Sequence, residues 1–180
     1  LRIRGIEYRA NHQTTFIMAQ ITSRNIIFGF LKPLVDVHTM GLFTMANLLR
    51  DCGYIVYIAP DDIQEAIENI QKLNNYTLLK HWIISNNITR LSFSYRLDPQ
   101  EGCDYFLHFY HQLLADKMFA TDGGIITDIS FAGLPDTCYL IRHKLSNAVL
   151  YFPGNESPIE SLKMYGVPDN LLPKALLQDN

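Results

Sequence analysis

The sequence predicts an α/β fold: a Rossmann-like (flavodoxin-like) five-stranded parallel sheet with helices on both faces, preceded by an extended N-terminal ribbon. Three observations support this prediction. From residue 25 onward, short apolar runs alternate with segments of helical period. The runs are apolar throughout, as expected for parallel strands covered on both faces. The 180 residues are 48% hydrophobic and 18% charged, which is enough apolar material for one folded core.

The predicted strands are the short apolar runs that end at turn or breaker residues. Lys32-Pro33 closes the first run, Pro60 ends the second, and Pro153-Gly154 closes the fifth. In chain order, the strands are predicted over residues 25–31, 54–59, 89–94, 125–131 and 148–152.

The predicted helices follow the strands. The first has apolar residues at the i, i+3, i+4 and i+7 spacing, namely Leu42, Met45, Ala46 and Leu49. Gly53 is suited to end it. Asp98, followed by Pro99 and then Glu101, is a strong signal for a helix start. Helices are predicted over residues 41–50, 61–70, 76–85, 98–119 and 135–145.

Composition excludes several classes of partner. A net charge of −3 argues against nucleic-acid binding by bulk charge. No apolar run approaches the roughly 18 residues of a spanning helix, so no membrane partner is expected. Cys52, Cys103 and Cys138 are widely spaced, which argues against a disulfide framework or a cysteine-ligated metal. We expect them to be buried, reduced residues of a cytoplasmic protein.

One loop carries residues suited to cofactor chemistry. Asp36, His38 and Gly41 form a D-x-H-x-x-G sequence directly after the first predicted strand, where this fold binds its ligands. A neutral imidazole can give one ring nitrogen to a metal. The carboxylate two residues earlier can accept the other ring N–H and so fix the tautomer. The glycine permits a close backbone approach or a turn with positive φ.

This loop resembles the D-x-H-x-x-G motif of the cobalamin-binding domain of corrinoid-dependent mutases and methionine synthases. In that family the histidine replaces the cofactor's own benzimidazole base as the lower axial ligand of cobalt. The resemblance implies that His38 ligates cobalt, with the cofactor bound base-off, and that Asp36 supports His38. It also implies that Gly41 makes room for the loop. Thr39 in the same loop is a further candidate for cofactor binding, and so is Gly154, because its backbone follows the fifth strand.

The family pattern continues with S-x-L after the third strand and G-G after the fourth, where a slot receives the displaced nucleotide tail. We match the serine to Ser94, which places Arg96 at the usual leucine position; Ser92 is the alternative serine. For the glycine pair we prefer Ala132-Gly133, because small residues there would admit the tail. Gly123-Gly124 fits the literal spacing but precedes the strand.

The resemblance also implies a domain organisation and a partner. Residues 1–24 would be an N-terminal extension, 25–155 the cobalamin-binding domain, and 156–180 a linker or the start of a following domain. We expect the cofactor module of a larger methyltransferase or radical S-adenosylmethionine enzyme, with no complete active site in this chain. S-adenosylmethionine and an iron–sulfur cluster would then belong to a domain outside it.

Two alternatives stay open at this point. The first is a corrinoid carrier domain of a mutase or methyltransferase, which would serve a substrate-binding domain on the same chain or on a partner chain. The second is a non-catalytic, flavodoxin-like interaction or sensor module in which the D-x-H-x-x-G sequence arose by chance.

Overall fold

A computed structural model describes residues 26–145 and 149–177, so the ribbon predicted over residues 1–24 lies outside the described residues. Five strands form one all-parallel sheet in the order β2-β1-β3-β4-β5. They are β1 (Ile27–Leu31), β2 (Ile55–Ile58), β3 (Arg90–Tyr95), β4 (Asp128–Gly133) and β5 (Leu150–Phe152). This sheet confirms the predicted α/β fold.

Helices connect the strands, as predicted. In chain order they are α1 (Met40–Asp51), α2 (Asp61–Glu68), α3 (Leu73–Ser85), α4 (Pro99–Ala115), α5 (Pro135–Leu145) and α6 (Pro158–Met164). The Asp98 carboxylate caps α4 by accepting a 2.8 Å hydrogen bond from the backbone N–H of Glu101. Among the described residues, no helix is both long and apolar enough to cross a membrane.

The strand order creates a crevice beside β1. From β1 the chain moves to one side to form β2, and it then crosses to the other side to form β3. The loops that leave β1 and β3 therefore diverge, and a crevice opens between them at the carboxyl ends of the strands. The D-x-H-x-x-G sequence covers the second half of the loop after β1 and the first two residues of α1, so the sheet brings it to this crevice.

The two faces of the sheet bury separate cores. One core lies under α2 to α5 and contains Phe93 and Phe131, which stack with ring centroids 6.1 Å apart. The other lies under α1 and α6 and contains Phe28 and Phe152. Side chains alternate between the faces along each strand, so neighbouring residues of β3 and β4 serve different cores.

Strand β4 lies two to three residues later than predicted. The apolar pair Ile125-Ile126 suggested an earlier start, but the backbone of Ile126 forms hydrogen bonds outside the sheet. Its N–H donates to the Met118 carbonyl at 3.0 Å, and its carbonyl accepts from the Ala120 N–H at 2.8 Å. These bonds close a local turn, so the strand begins only at Asp128. Ala132 and Gly133 are consequently the last two strand residues rather than the loop after it.

The packed chain continues past residue 155, where we placed the end of the domain. Ser157 and Glu160 form a reciprocal capping box at the start of α6, with N–H to oxygen distances of 3.3 and 2.7 Å. Four residues of α6 and the segment after it are buried in the second core: Leu162, Tyr165, Val167 and Leu172. The segment 158–172 therefore covers one face of the same sheet.

Candidate functional site

A cleft of about 710 Å³ opens at the carboxyl ends of β1, β3 and β4, between the sheet and helices α1 and α6. Seven of the residues predicted from the sequence to bind a cofactor line it. They are His38, Thr39, Gly41, Ser92, Ser94, Ala132 and Gly154. The predicted set spans 119 positions of sequence, from Asp36 to Gly154, and the sheet gathers these seven in one place.

Asp36 contacts His38 and holds the loop after β1 in place through hydrogen bonds. Its side chain is completely buried, whereas that of His38 is 51% exposed. One carboxylate oxygen, Oδ1, contacts His38 Nδ1 at 2.8 Å and accepts the His38 backbone N–H at 2.9 Å. The other, Oδ2, accepts the backbone N–H of Arg96 at 2.9 Å. A single carboxylate thus ties the loop after β1 to the loop after β3.

This contact determines how the imidazole can act. An ionised carboxylate only accepts hydrogen bonds, so the proton of a neutral His38 ring lies on Nδ1. The lone pair is then on Nε2, which has no hydrogen-bond partner among the described residues. His38 is therefore an imidazole of fixed tautomer whose second nitrogen is available to a ligand in the cleft.

Lys32 also holds this loop in place, through hydrogen bonds to its backbone. Its ammonium group is buried and donates to the carbonyl oxygens of Pro33 and Asp36. Burial lowers the pKa of Lys32, while the negative charge of Asp36 acts in the opposite direction. The backbone before His38 is thus held by a side chain that comes from the end of β1.

Gly41 lies in a helix and does not form a turn with positive φ. It is the second residue of α1 and is not among the glycines with positive φ. It lines the cleft, and a Cβ at this position would have no heavy atom within 4 Å. The glycine therefore leaves open space in the cleft beside His38, which is consistent with close approach by a ligand.

Gly133 does not line the cleft, although we expected it to line the tail slot with Ala132. The alternation of β4 turns position 133 toward the other core, where a Cβ would collide with the Phe131 ring and lie 2.6 Å from the Tyr95 carbonyl oxygen. Only Ala132 of this pair lines the cleft. The alternative pair, Gly123-Gly124, belongs to the turn before β4 and is also absent from the cleft wall.

Sequence analysis missed a hydroxyl cluster that joins Tyr165 and Ser92, which line the cleft, to the buried Ser130 beside them. The Tyr165 hydroxyl lies 2.8 Å from Ser92 Oγ and 3.4 Å from Ser130 Oγ. Burial raises the pKa of Tyr165, so the phenol is neutral at physiological pH. Its ring stacks on Phe152, with centroids 4.5 Å apart. The capping box before α6 was the available signal for the helix that delivers Tyr165.

Apolar and charged side chains surround the mouth of the cleft. Val37 in the loop and Met40 at the start of α1 lie on either side of His38 and are 76% and 83% exposed, which gives the cleft mouth an apolar surface. Arg96 and Glu156 also line the cleft. Gly154 has a φ of 94°, and its N–H donates to Glu156 Oε2 at 3.0 Å.

His38 and Glu156 line the cleft, but no set of metal ligands surrounds either of them in the described part of the chain. Among residues 26–145 and 149–177, no three His, Cys, Asp or Glu side chains are grouped so as to hold an ion. Comparison with protein-family models and with curated proteins gives no match for this chain. A function for the chain must therefore be inferred from the chemistry of the cleft.

Proposed function

We propose that this chain binds cobalamin base-off, with Nε2 of His38 as the lower axial ligand of cobalt. The observation that carries the proposal is the His38 imidazole at the cleft mouth, with its Nδ1 held 2.8 Å from a fully buried carboxylate. The D-x-H-x-x-G resemblance predicts this pairing, and the Asp36–His38 contact supports it. The available ring nitrogen is the one that an axial ligand needs.

The single imidazole ligand favours a metal that is already bound within a macrocycle over a free metal ion. A bare ion such as Zn²⁺ requires three or four protein ligands, and a single imidazole does not provide them. A cobalt ion that is already held by four corrin nitrogens needs only an axial ligand from the protein. The apolar, exposed Val37 and Met40 beside His38 suit contact with a large flat ring.

The cleft also suits the displaced nucleotide tail. Its walls combine apolar side chains such as Phe30 and Met45 with the hydroxyl groups of Ser92 and Ser94. Ala132 keeps the side-chain volume small at the end of β4. A mostly apolar pocket with a few placed hydroxyl groups is the usual composition of a site for an aromatic ligand.

We propose that the chain acts as the cofactor module of a larger methyltransferase or radical S-adenosylmethionine enzyme. Bound cobalamin supplies the methyl-transfer or radical chemistry at its cobalt. The residues of this chain hold and orient it, and a substrate-binding or radical domain completes the site. We place the module in the cytoplasm, because Cys52, Cys103 and Cys138 are buried and unpaired.

The test is electron paramagnetic resonance of the protein reconstituted with cob(II)alamin. We expect superhyperfine splitting from one axial nitrogen, as a triplet that becomes a doublet when protein histidine carries nitrogen-15. His38→Ala is the matched control, because the other histidines remain labelled, and it should abolish the effect of the label. Splitting that ignores the label would assign the axial nitrogen to the cofactor's benzimidazole and overturn the His38 ligand. Failure to retain cobalamin through gel filtration would favour the interaction-module alternative.

A further inference from the structure

Arg96 carries a positive charge at the cleft that no described residue neutralises. Its backbone N–H is bound to Asp36 Oδ2 at 2.9 Å, but its guanidinium forms neither an ion pair nor a hydrogen bond within the described part of the chain. The side chain lines the same cleft as His38 and Ser94. Its five N–H donors are therefore available to an anion in the cleft.

The loop after β5 leaves room for this guanidinium. A Cβ at Gly154 would lie 2.9 Å from Nη1 of Arg96 and 3.2 Å from Nη2, both too close for an ordinary contact. Gly154 also has a φ of 94°, which favours glycine. The positive φ favours glycine here, and the glycine lets the guanidinium of Arg96 lie against the backbone of this loop. Glu156 also lines the cleft, and its Oε2 accepts the Gly154 N–H at 3.0 Å, but it forms no ion pair with Arg96 among the described contacts.

We propose that Arg96 binds the phosphodiester of the cobalamin nucleotide tail, an inference that rests on the proposed function. The phosphodiester links the corrin ring to the base. With cobalt at His38 and the base deeper in the cleft beside Ser92, the linking anion must pass the level of Ser94 and Arg96. An anion that enters a mostly apolar cleft loses hydration, so it requires a cation with matched donors.

Arginine stands at position 96, where the S-x-L pattern that this chain resembles has leucine, and phosphate binding would give this difference a function. A leucine at position 96 would only add apolar wall, whereas arginine selects for ligands that carry the phosphate. The protein should therefore discriminate between complete corrinoids and precursors without a tail. Its specificity would come from a charge on the loop after β3, separate from the cobalt ligand on the loop after β1.

The experiment titrates the protein with three aquo-corrinoids: cobinamide, which has no phosphate; cobinamide phosphate, which has no base; and cobalamin. Absorbance reports the binding of each. In the wild type, we expect cobinamide phosphate to bind more tightly than cobinamide, with the ratio decreasing as salt increases. Arg96→Gln should lower that ratio about 10- to 100-fold and leave cobinamide affinity unchanged. Arg96→Lys should retain part of it.

Two controls separate charge and folding from the phosphate contact. Lys72→Gln removes one charge from an exposed residue outside the cleft and should leave the ratio unchanged. Equal losses for cobinamide and cobinamide phosphate in Arg96→Gln would overturn the proposal, because Arg96 would then act through the His38 loop. An unchanged ratio would overturn it as well. Binding of none of the three corrinoids by the wild type would instead reject the proposed function itself.

Discussion

At the scale of single residues, Asp36 has both a structural and a functional role. Its carboxylate accepts from the His38 ring, the His38 backbone and the Arg96 backbone, and it is completely buried. His38 itself is half exposed and lines the cleft. The two residues of the motif should therefore respond differently to substitution, since one maintains the loop and the other faces the ligand.

Asp36→Asn should lower both stability and cofactor affinity. An amide retains one acceptor oxygen but turns an NH₂ group toward an N–H donor, so at least one buried hydrogen bond is lost, at a cost of about 1–3 kcal/mol. Cobalamin affinity should decrease about 10- to 100-fold, because a neutral amide binds the imidazole more weakly than a carboxylate does and so orients it less firmly. Urea unfolding and cobalamin titration measure the two effects. Equal stability beside unchanged affinity would contradict both roles.

His38→Ala is the matched comparison. Removal of the imidazole deletes one of the three hydrogen bonds to the buried Asp36 carboxylate and little else, so the free energy of unfolding should decrease by only about 1 kcal/mol. The same variant should lose the axial nitrogen signal of cob(II)alamin. A large loss of stability in His38→Ala would show that the imidazole serves the fold, which is the outcome expected of a histidine without a ligand.

At the scale of elements, the pleat of β4 decides which small residue lies in the cleft. Ser130 and Ala132 pair with Ser92 and Ser94 of β3 and lie on the same face of the sheet as the cleft, whereas Gly133 lies on the other face; only Ala132 of the three lines the cleft. Ala132→Leu should therefore obstruct the tail and lower cobalamin affinity at least tenfold relative to that of cobinamide. Gly133→Ala should instead destabilise the protein by about 1–3 kcal/mol through overpacking, with the affinity ratio unchanged. The opposite assignment of the two effects would contradict this register.

Sequence patterns predicted the elements whose signals are local. The apolar strands, the spacing of α1 and the Asp98 cap of α4 all follow from neighbours within a few residues. The start of β4 did not, because the backbone bonds of Ile126 to residues 118 and 120 compete with extension of the strand. The same error misplaced Gly133. Because the strand was predicted to end at residue 131, Gly133 was assigned to the loop, whereas it is the last residue of β4 and its position faces away from the cleft.

The part of the site that lies within one loop could be predicted from the sequence, whereas contacts between distant residues could not. The Asp36–His38 pair is two residues apart and could be recognised without a structure. The Tyr165–Ser92 contact joins residues 73 positions apart, and no periodicity in the sequence links them. The same holds for Arg96 and Gly154, whose proximity depends on the order of β3, β4 and β5.

At the scale of the whole molecule, the segment from α6 to Leu172 makes the cleft and the fold interdependent. It covers the second core and also supplies Tyr165 and Ser161 to the cleft wall. The Tyr165 ring packs edge-on against Phe28 at 5.6 Å between centroids, as well as stacking on Phe152. Removing this segment would uncover the aromatic side chains of β1 and β5 and open the floor of the cleft at the same time.

The chain shortened to residues 1–155, the domain boundary expected from sequence, should therefore lose cooperative folding. The deleted part includes the buried residues Leu162, Tyr165 and Leu172. Loss of one large core side chain typically costs about 2–5 kcal/mol, so loss of all three approaches the total stability of about 5–15 kcal/mol of an ordinary domain. Denaturant unfolding followed by circular dichroism should show a broad transition for residues 1–155 and a sharp one for the full chain.

The Tyr165→Phe variant is the milder comparison. It keeps the ring and loses only the hydroxyl contacts to Ser92 and Ser130, so it should lower the free energy of unfolding by about 1 kcal/mol. A sharp transition at the same midpoint for residues 1–155 would show that the sheet is stable without α6 and that the boundary at residue 155 is correct.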